Sequence, residues 1–271
     1  MSAFSSAVQP LQQVSKMTAQ TLHPRPRLLP LGDSAWTVEF GDDIAPEIHA
    51  RVLGFAAALA AAQQDGTLAR ELECVPAFRS LTVHFDPARV DHAALAERLL
   101  AIAGDSGSLQ ASGAAWRIPV CFDAEFAPDL AAVAESKGLT PDAVVRLMTE
   151  TEFTVYMLGF LPGFPYLGGL PAALDMPRLA TPRKVVPARS IAIAGRTCAA
   201  YPWQSPGGWR LMGRTPVHLF DPARSARPAL LAPGDRVRWQ AVDRDAYAAI
   251  EARCARGDFD PDELRAREAG A

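Results

Sequence analysis

Between Met176 and Phe220 the chain has no Asp or Glu, yet it holds Arg178, Arg183, Lys184, Arg189, Arg196, Arg210 and Arg214. An arginine fork offers two donors to two oxygens, so such a run suits a carboxylate, a phosphate or an acidic partner surface. The competing reading is a set of solvent-facing arginines that are neighbours only in sequence. Two loops rich in glycine and proline accompany the run: GFLPGFPYLGGLP at 159–171 and SPGGWRLMGRT at 205–215. Glycine permits backbone angles and close approaches that other residues forbid, while proline fixes φ and removes a donor. The first stretch can be neither a helix nor a central strand. It reads as a rigid loop presenting Phe160, Phe164 and Tyr166, shaped by Gly159, Pro162 and Gly163. Gly207, Gly208 and Gly213 would shape the second. We expect the two loops to meet at one mouth of a β-barrel. Tyr166 and Trp209 would then form apolar walls, with Arg183 and Arg214 facing the anionic part of a ligand. The plainer alternative is that both loops only close the barrel.

Other chemistry is poorly served. GWRLMGRT (208–215) has the spacing of a phosphate loop with Arg214 in place of lysine, but that motif needs a helix directly afterwards. Pro216 and the alternating VHLF point to a strand instead. Ser205 lacks a nucleophile elbow, and Pro206 after it cannot donate an oxyanion-hole amide. A turn serine is its default role. Cys74, Cys121, Cys198 and Cys254 lie far apart without metal spacing, which favours a reduced, cytoplasmic setting. His84 and His218 fall on the polar phase of alternating stretches and read as solvent-facing. No metal motif is present.

The elements that must position these residues follow from pattern. With 271 residues the chain can form one large or two ordinary domains. A net charge of −3 gives no electrostatic reason to bind nucleic acid or an anionic membrane. No apolar run approaches the roughly 18 residues that cross a bilayer. Residues 1–27 read as a disordered tail. SAWTVEF and SLTVHF alternate as strands, and Ile48, Val52, Phe55 and Leu59, then Leu95, Leu99 and Ile102, recur at helical spacing. Together they predict a small α+β domain over 28–104. The Gly/Ser-rich 103–115 serves as a linker. Next come the strand WRIPVCF, a short helix over 128–137, and a helix opened by Thr140 and Pro141. FTVYM, SIAIA, PVHLF and RVRWQ are then short strands of a β-barrel or compact sandwich over 114–243. Residues 244–271 return to helix, with Tyr247, Ile250 and Cys254 on one side.

In VPAFRSLTVHFDP, GFLPGFPYLGGLP, PRKVVPARSIAIAG, YPWQSPGGWRLMGRTPVHLFDP and LLAPGDRVRW the chain resembles the family of B-type 5-oxoprolinase subunits. That family is also called KipI or allophanate hydrolase subunit 1. The resemblance implies an α+β N-terminal domain followed by a mainly-β cyclophilin-like barrel. It also implies a complex with subunits A and C that uses ATP, bound by the assembly, to open 5-oxoproline, a small anionic amide, to glutamate. Relatives that inhibit a sporulation histidine kinase or belong to urea-degrading enzymes supply alternative roles. Phe160, Tyr166, Pro182, Arg183, Ser205, Trp209, Arg214 and Thr215 match the family pattern, and with it Ser205 and Thr215 join the candidate ligand contacts. Three departures stand out: Met148 where a histidine is usual, Arg189 where a glycine is usual, and Thr197-Cys198-Ala199 in place of Gln-Thr-Gly.

Overall fold

The computed structural model describes residues 22–109 and 113–266. Of the expected tail, residues 1–21 lie outside the described residues. From Leu22 the chain is already strand β1 (Leu22–Pro30), which corrects the boundary at 27. Pro24 and Pro26 made this segment look unstructured. They are tolerated because β1 is an edge strand whose register shifts between Leu22 and Arg27, where the prolines cannot donate. The chain continues through β2 (Ala35–Gly41), α1 (Pro46–Gln64), β3 (Glu73–Pro76), β4 (Ser80–His84) and α2 (His92–Asp105). The strands form an antiparallel sheet of order β1-β2-β4-β3. Its inward residues Val38, Phe40, Leu81 and Val83 share one core with Ile48, Val52, Phe55 and Leu59 of α1 and Leu95 and Leu99 of α2. Both helices therefore cover one face.

The expected linker is more ordered than its composition suggested. Helix α2 runs through Asp105, and the Leu109 amide donates to the Ala50 carbonyl at 2.8 Å. Gly107 passes so close to α1 that a Cβ on Gly54 would meet its carbonyl. Residues 110–112 of this stretch lie outside the described residues.

The second half contains β5 (Ala115–Val120), α3 (Leu130–Lys137), α4 (Pro141–Glu150), β6 (Phe153–Leu158), β7 (Pro165–Gly168), β8 (Arg183–Val186), β9 (Ser190–Ala194), β10 (Thr197–Ala200), β11 (Ser205–Gly207), β12 (Arg210–Arg214), β13 (Arg236–Ala241) and α5 (Arg244–Arg256). Seven strands form one sheet of order β12-β9-β10-β7-β6-β13-β5. Strand β7, paired with β10 on one side and β6 on the other, corrects the expectation that 159–171 holds no central strand. Tyr166 and Leu167 supply the ladder, with the glycines and Pro162 mostly outside it. Its two ends meet where Cys121 and Arg214 exchange backbone hydrogen bonds of 2.9 and 3.0 Å, so the sheet is nearly closed into a barrel. Ile118, Phe153, Val155, Leu167, Ile191, Ile193, Met212, Val237 and Trp239 fill the interior, together with Val144 and Met148 of α4. On the outside a second, smaller cluster packs beside the ribbon β8–β11. PVHLF is not a strand: within it only Phe220 makes a bridge, to Ala229. Pro216 lacks a donor, and Thr215 Oγ1 accepts the Val217 amide at 3.2 Å to make a turn. No helix directly follows β12 either, and the helix expected over 244–271 is corrected to end at Arg256, where Gly257 takes the left-handed conformation; residues 267–271 lie outside the described residues.

Candidate functional site

The two stretches meet on the outer face of the barrel sheet and not, as expected, at a mouth of the barrel. Ala192, Ala194 and Ala199 are small and buried, leaving room for large rings above them. Over this floor Tyr166 and Trp209 approach to 5.9 Å between centroids, and Phe164 lies 4.9 Å from Tyr166 and 6.4 Å from Trp209. Phe160 stands at the loop tip, 61% exposed, with its ring edge-on to Phe164. Pro162 occupies the tight turn closed by the Gly159 amide on the Phe164 carbonyl. Gly163 has φ +75°, and a Cβ there would come within 2.7 Å of Phe220 Cβ. Gly207 is equally constrained, because a Cβ would meet the Tyr201 hydroxyl at 2.4 Å. Gly208 meets only ordinary contacts, and Gly213 lies against Val120, Cys121 and Phe122.

A cleft of about 920 Å³ opens beside these rings, between the start of α1 and the barrel. Tyr156, Gly168, Arg178, Arg196, Thr197 and Trp209 line its barrel side, and Asp43 to Pro46 form the opposite lip. Arg178 lies over the Trp209 ring at 5.7 Å, a cation–π arrangement that holds the guanidinium at the rim. Arg196 is exposed in the turn between β9 and β10. Burial raises the Tyr156 and Tyr166 phenols above their ordinary range, so both keep their protons. Beneath Tyr156, His49 stacks at 4.3 Å and bonds the Tyr156 carbonyl through Nε2 at 2.8 Å. Burial pushes His49 down to about 4, so the imidazole is neutral and Nε2–H donates. The arrangement can grip a small, flat, anionic molecule between aromatic walls, under two cations.

The residues chosen from sequence are not all brought here. Arg183 is a structural cross-tie: Nη2 donates to Asp129 Oδ1 at 2.6 Å and Nη1 to the Trp209 carbonyl at 3.3 Å. Asp129 is buried at the start of α3 and also accepts the Leu211 amide at 2.7 Å. Arg214 stands five residues beyond Trp209, about 15 Å along a strand. It lies over Phe126, whose ring stacks on Tyr247, and its Nε is buried without a partner among the described residues. Thr215 is fully buried in its turn, and Ser205 is buried within the β8–β11 ribbon, its Oγ likewise unpartnered among the described residues. Arg178 and Arg196 were in the same acid-free run, but sequence spacing did not reveal which arginines share a side. Tyr156 and the α1 lip gave no signal of their own.

One further constellation has the composition of a metal site. His23, Glu39 and Asp42 bring ligand atoms within 4.8 Å of one another. Arg27 bonds both carboxylates and Arg79 bonds Glu39, so their charges are already met and a cation would be repelled.

Residues 26–231 match the family described as carboxyltransferase domain, subdomain C and D. The B-type 5-oxoprolinase subunit of Bacillus subtilis (strain 168) is 39% identical over 235 residues, covering 82% of this chain and 95% of that protein. This chain belongs to the family of B-type 5-oxoprolinase subunits. The counterpart in Escherichia coli O157:H7 is 44% identical over 169 residues, 62% of this chain and 77% of that one. The Kluyveromyces lactis urea carboxylase structure superposes with a TM-score of 0.70 over 88% of this chain at 18% identity, which shows a shared fold. This chain spans 24% of that protein.

Against the family pattern, the departures have structural settings. Met148 is fully buried among barrel-core side chains, away from the cleft. Arg189 has φ +68°, which accounts for a glycine being usual there. Its guanidinium meets Glu251 at 2.6 Å and the Pro216 carbonyl at 2.9 Å, offsetting the strain. Cys198 is sealed in the core, where burial pushes its thiol up to about 12, so it is no nucleophile at neutral pH. Only Thr197 of that trio reaches the cleft.

Proposed function

We propose that this chain is the B-type subunit of an ATP-dependent 5-oxoprolinase, a hydrolase that converts 5-oxoproline, ATP and water to L-glutamate, ADP and phosphate. The observation that carries this reading is the cleft, where Arg178 and Arg196 stand beside Tyr156 and Trp209. The names of the relatives supply the substrate: a flat lactam bearing one carboxylate. Its ring fits against the aromatic walls and its carboxylate against the guanidinium pair. The chain's own contribution is to bind the ligand, fix its orientation and exclude water from one face. ATP would supply the phosphoryl group that makes a poor amide electrophile reactive. Residues 208–215 run as strand β12 and its turn rather than as a phosphate loop, so we assign the nucleotide to the partner subunits.

The cleft is wider than such a ligand needs, which leaves space for a segment of an A- or C-type partner. On this reading the barrel is cyclophilin-like over 114–243, preceded by an α+β domain that runs from β1 to α2 (22–105), and the assembly is a cytoplasmic hetero-oligomer. Reconstitution tests the proposal: glutamate formation from 5-oxoproline should require ATP, the partner subunits and this chain together. Equal turnover without this chain would overturn it and would favour a regulatory binding module.

A further inference from the structure

Strand β6 is irregular at one place. Val155 pairs with Leu167 and Met157 with Tyr166, so Tyr156 is the extra residue of a bulge. Bulges re-aim side chains, and they are over-represented beside active sites. With Phe153 and Val155 facing the barrel core, Tyr156 faces outward to the cleft, and the bulge falls at this residue. The surroundings hold the ring in place: His49 stacks on one side, Phe78 meets it edge-on at 5.9 Å, and Gly168 leaves the space it occupies. A Cβ on Gly168 would lie 2.2 Å from Tyr156 Cζ and 2.6 Å from its hydroxyl. The bulge carbonyl is itself satisfied by His49. Yet the hydroxyl has no hydrogen-bond partner among the described residues, although Tyr156 is only 5% exposed. Lining the cleft, the hydroxyl is free to exchange water for a ligand that pairs with it.

Charge fixes which end of a ligand lies here. Asp43 and Glu47, both exposed, flank the start of α1, whereas Arg178 and Arg196 stand on the barrel side. A carboxylate is drawn to the arginines, and because Tyr156 lines the same barrel side, the ring N–H beside the carboxylate-bearing carbon of a lactam carboxylate comes to Tyr156. A phenol hydroxyl both donates and accepts, as an amide does.

We propose that Tyr156 orients the ligand, its hydroxyl hydrogen-bonding the ring amide of a small lactam carboxylate while Arg196 takes the carboxylate. The inference rests on the cleft reading above, and its test separates the two. In the reconstituted assembly, affinities for 5-oxoproline and for cyclopentanecarboxylate, which lacks the amide, are measured by competition. The native chain should favour 5-oxoproline roughly tenfold, the effect of one hydrogen bond. Tyr156→Phe keeps the ring and should erase that preference by weakening 5-oxoproline alone, while Arg196→Ala should weaken both ligands alike. Without ligand, Tyr156→Phe should melt no lower than the native chain, because the hydroxyl it removes has no partner to lose. Retention of the preference in Tyr156→Phe, with both ligands weakened by Arg196→Ala, overturns the tyrosine's role and leaves the cleft standing. No effect of either substitution overturns both. A clear drop in melting temperature for Tyr156→Phe would show that the hydroxyl serves the fold, against this proposal.

Discussion

Replacing Asp129 by alanine should unfold the protein at a markedly lower temperature. Asp129 is 7% exposed and joins three elements: its own helix start, Arg183 of β8 and the Leu211 amide of β12. Breaking a buried ion pair costs about 3–5 kcal/mol. Arg183 keeps 28% of its side-chain surface in water, which screens the charge left behind and lowers that figure to about 2 kcal/mol. The orphaned Leu211 amide adds about 1–2 kcal/mol. The sum of about 3–4 kcal/mol lowers the melting temperature by about 10 °C in a chain of this size. Thermal unfolding of Asp129→Ala, Arg183→Ala and the double variant measures the coupling. The double variant should be more stable than the sum of the singles implies, since neither charge is then stranded. A shift below about 2 °C for Asp129→Ala would refute the reasoning. So would Arg183→Ala that abolishes ligand binding at unchanged stability, because Arg183 would then be a ligand contact after all.

Two other predictions concern buried histidine and backbone strain. His49 has its pKa lowered by burial to about 4 from 6.5, so the unfolded chain binds a proton in that interval that the folded chain does not. Its stabilisation is complete above pH 6.5 and is lost as pH falls toward 4, by about 3 kcal/mol. Urea titrations at pH 7 and pH 4 should show His49→Gln losing that much less than the native chain; parallel losses would contradict it. Arg189→Gly relieves a positive φ that Arg189→Ala retains, and both lose the contacts to Glu251 and Pro216. The glycine variant should therefore be the more stable of the two by about 1 kcal/mol in urea unfolding, and the reverse order would show that no strain is stored there.

The sequence was legible where a residue's role is local. Thr140 caps α4 through Oγ1 on the Ala143 amide at 3.2 Å, and Gly138 ends α3 in the left-handed region, both readable from residue type. Alternation in SAWTVEF and SLTVHF placed Val38, Phe40, Leu81 and Val83 on one buried face. The meeting of Tyr166 with Trp209 followed from glycine, proline and aromatic content. What failed was direction. Arg183 and Arg214 looked equivalent to Arg178 and Arg196, but Asp129 lies 54 positions from the arginine it binds, and only the folded chain brings them together. Pro-rich β1 and Gly/Ser-rich 106–109 were misjudged for a related reason, because edge pairing and packing against α1 are tertiary effects. Alternation puts Tyr156 outside the barrel core, but the lip that makes a cleft there, Asp43 to Pro46, is distant in sequence.

On the proposed reading the cleft between α1 and the barrel, and not the Arg214 end of β12, receives the anionic ligand. The most direct test is the affinity of the reconstituted assembly for 5-oxoproline, measured for the double variant Arg178→Ala/Arg196→Ala beside Arg214→Ala. Loss of charge-assisted contacts should weaken the double variant at least tenfold and leave Arg214→Ala at the native value. Native affinity in the double variant, with loss in Arg214→Ala, would contradict the account.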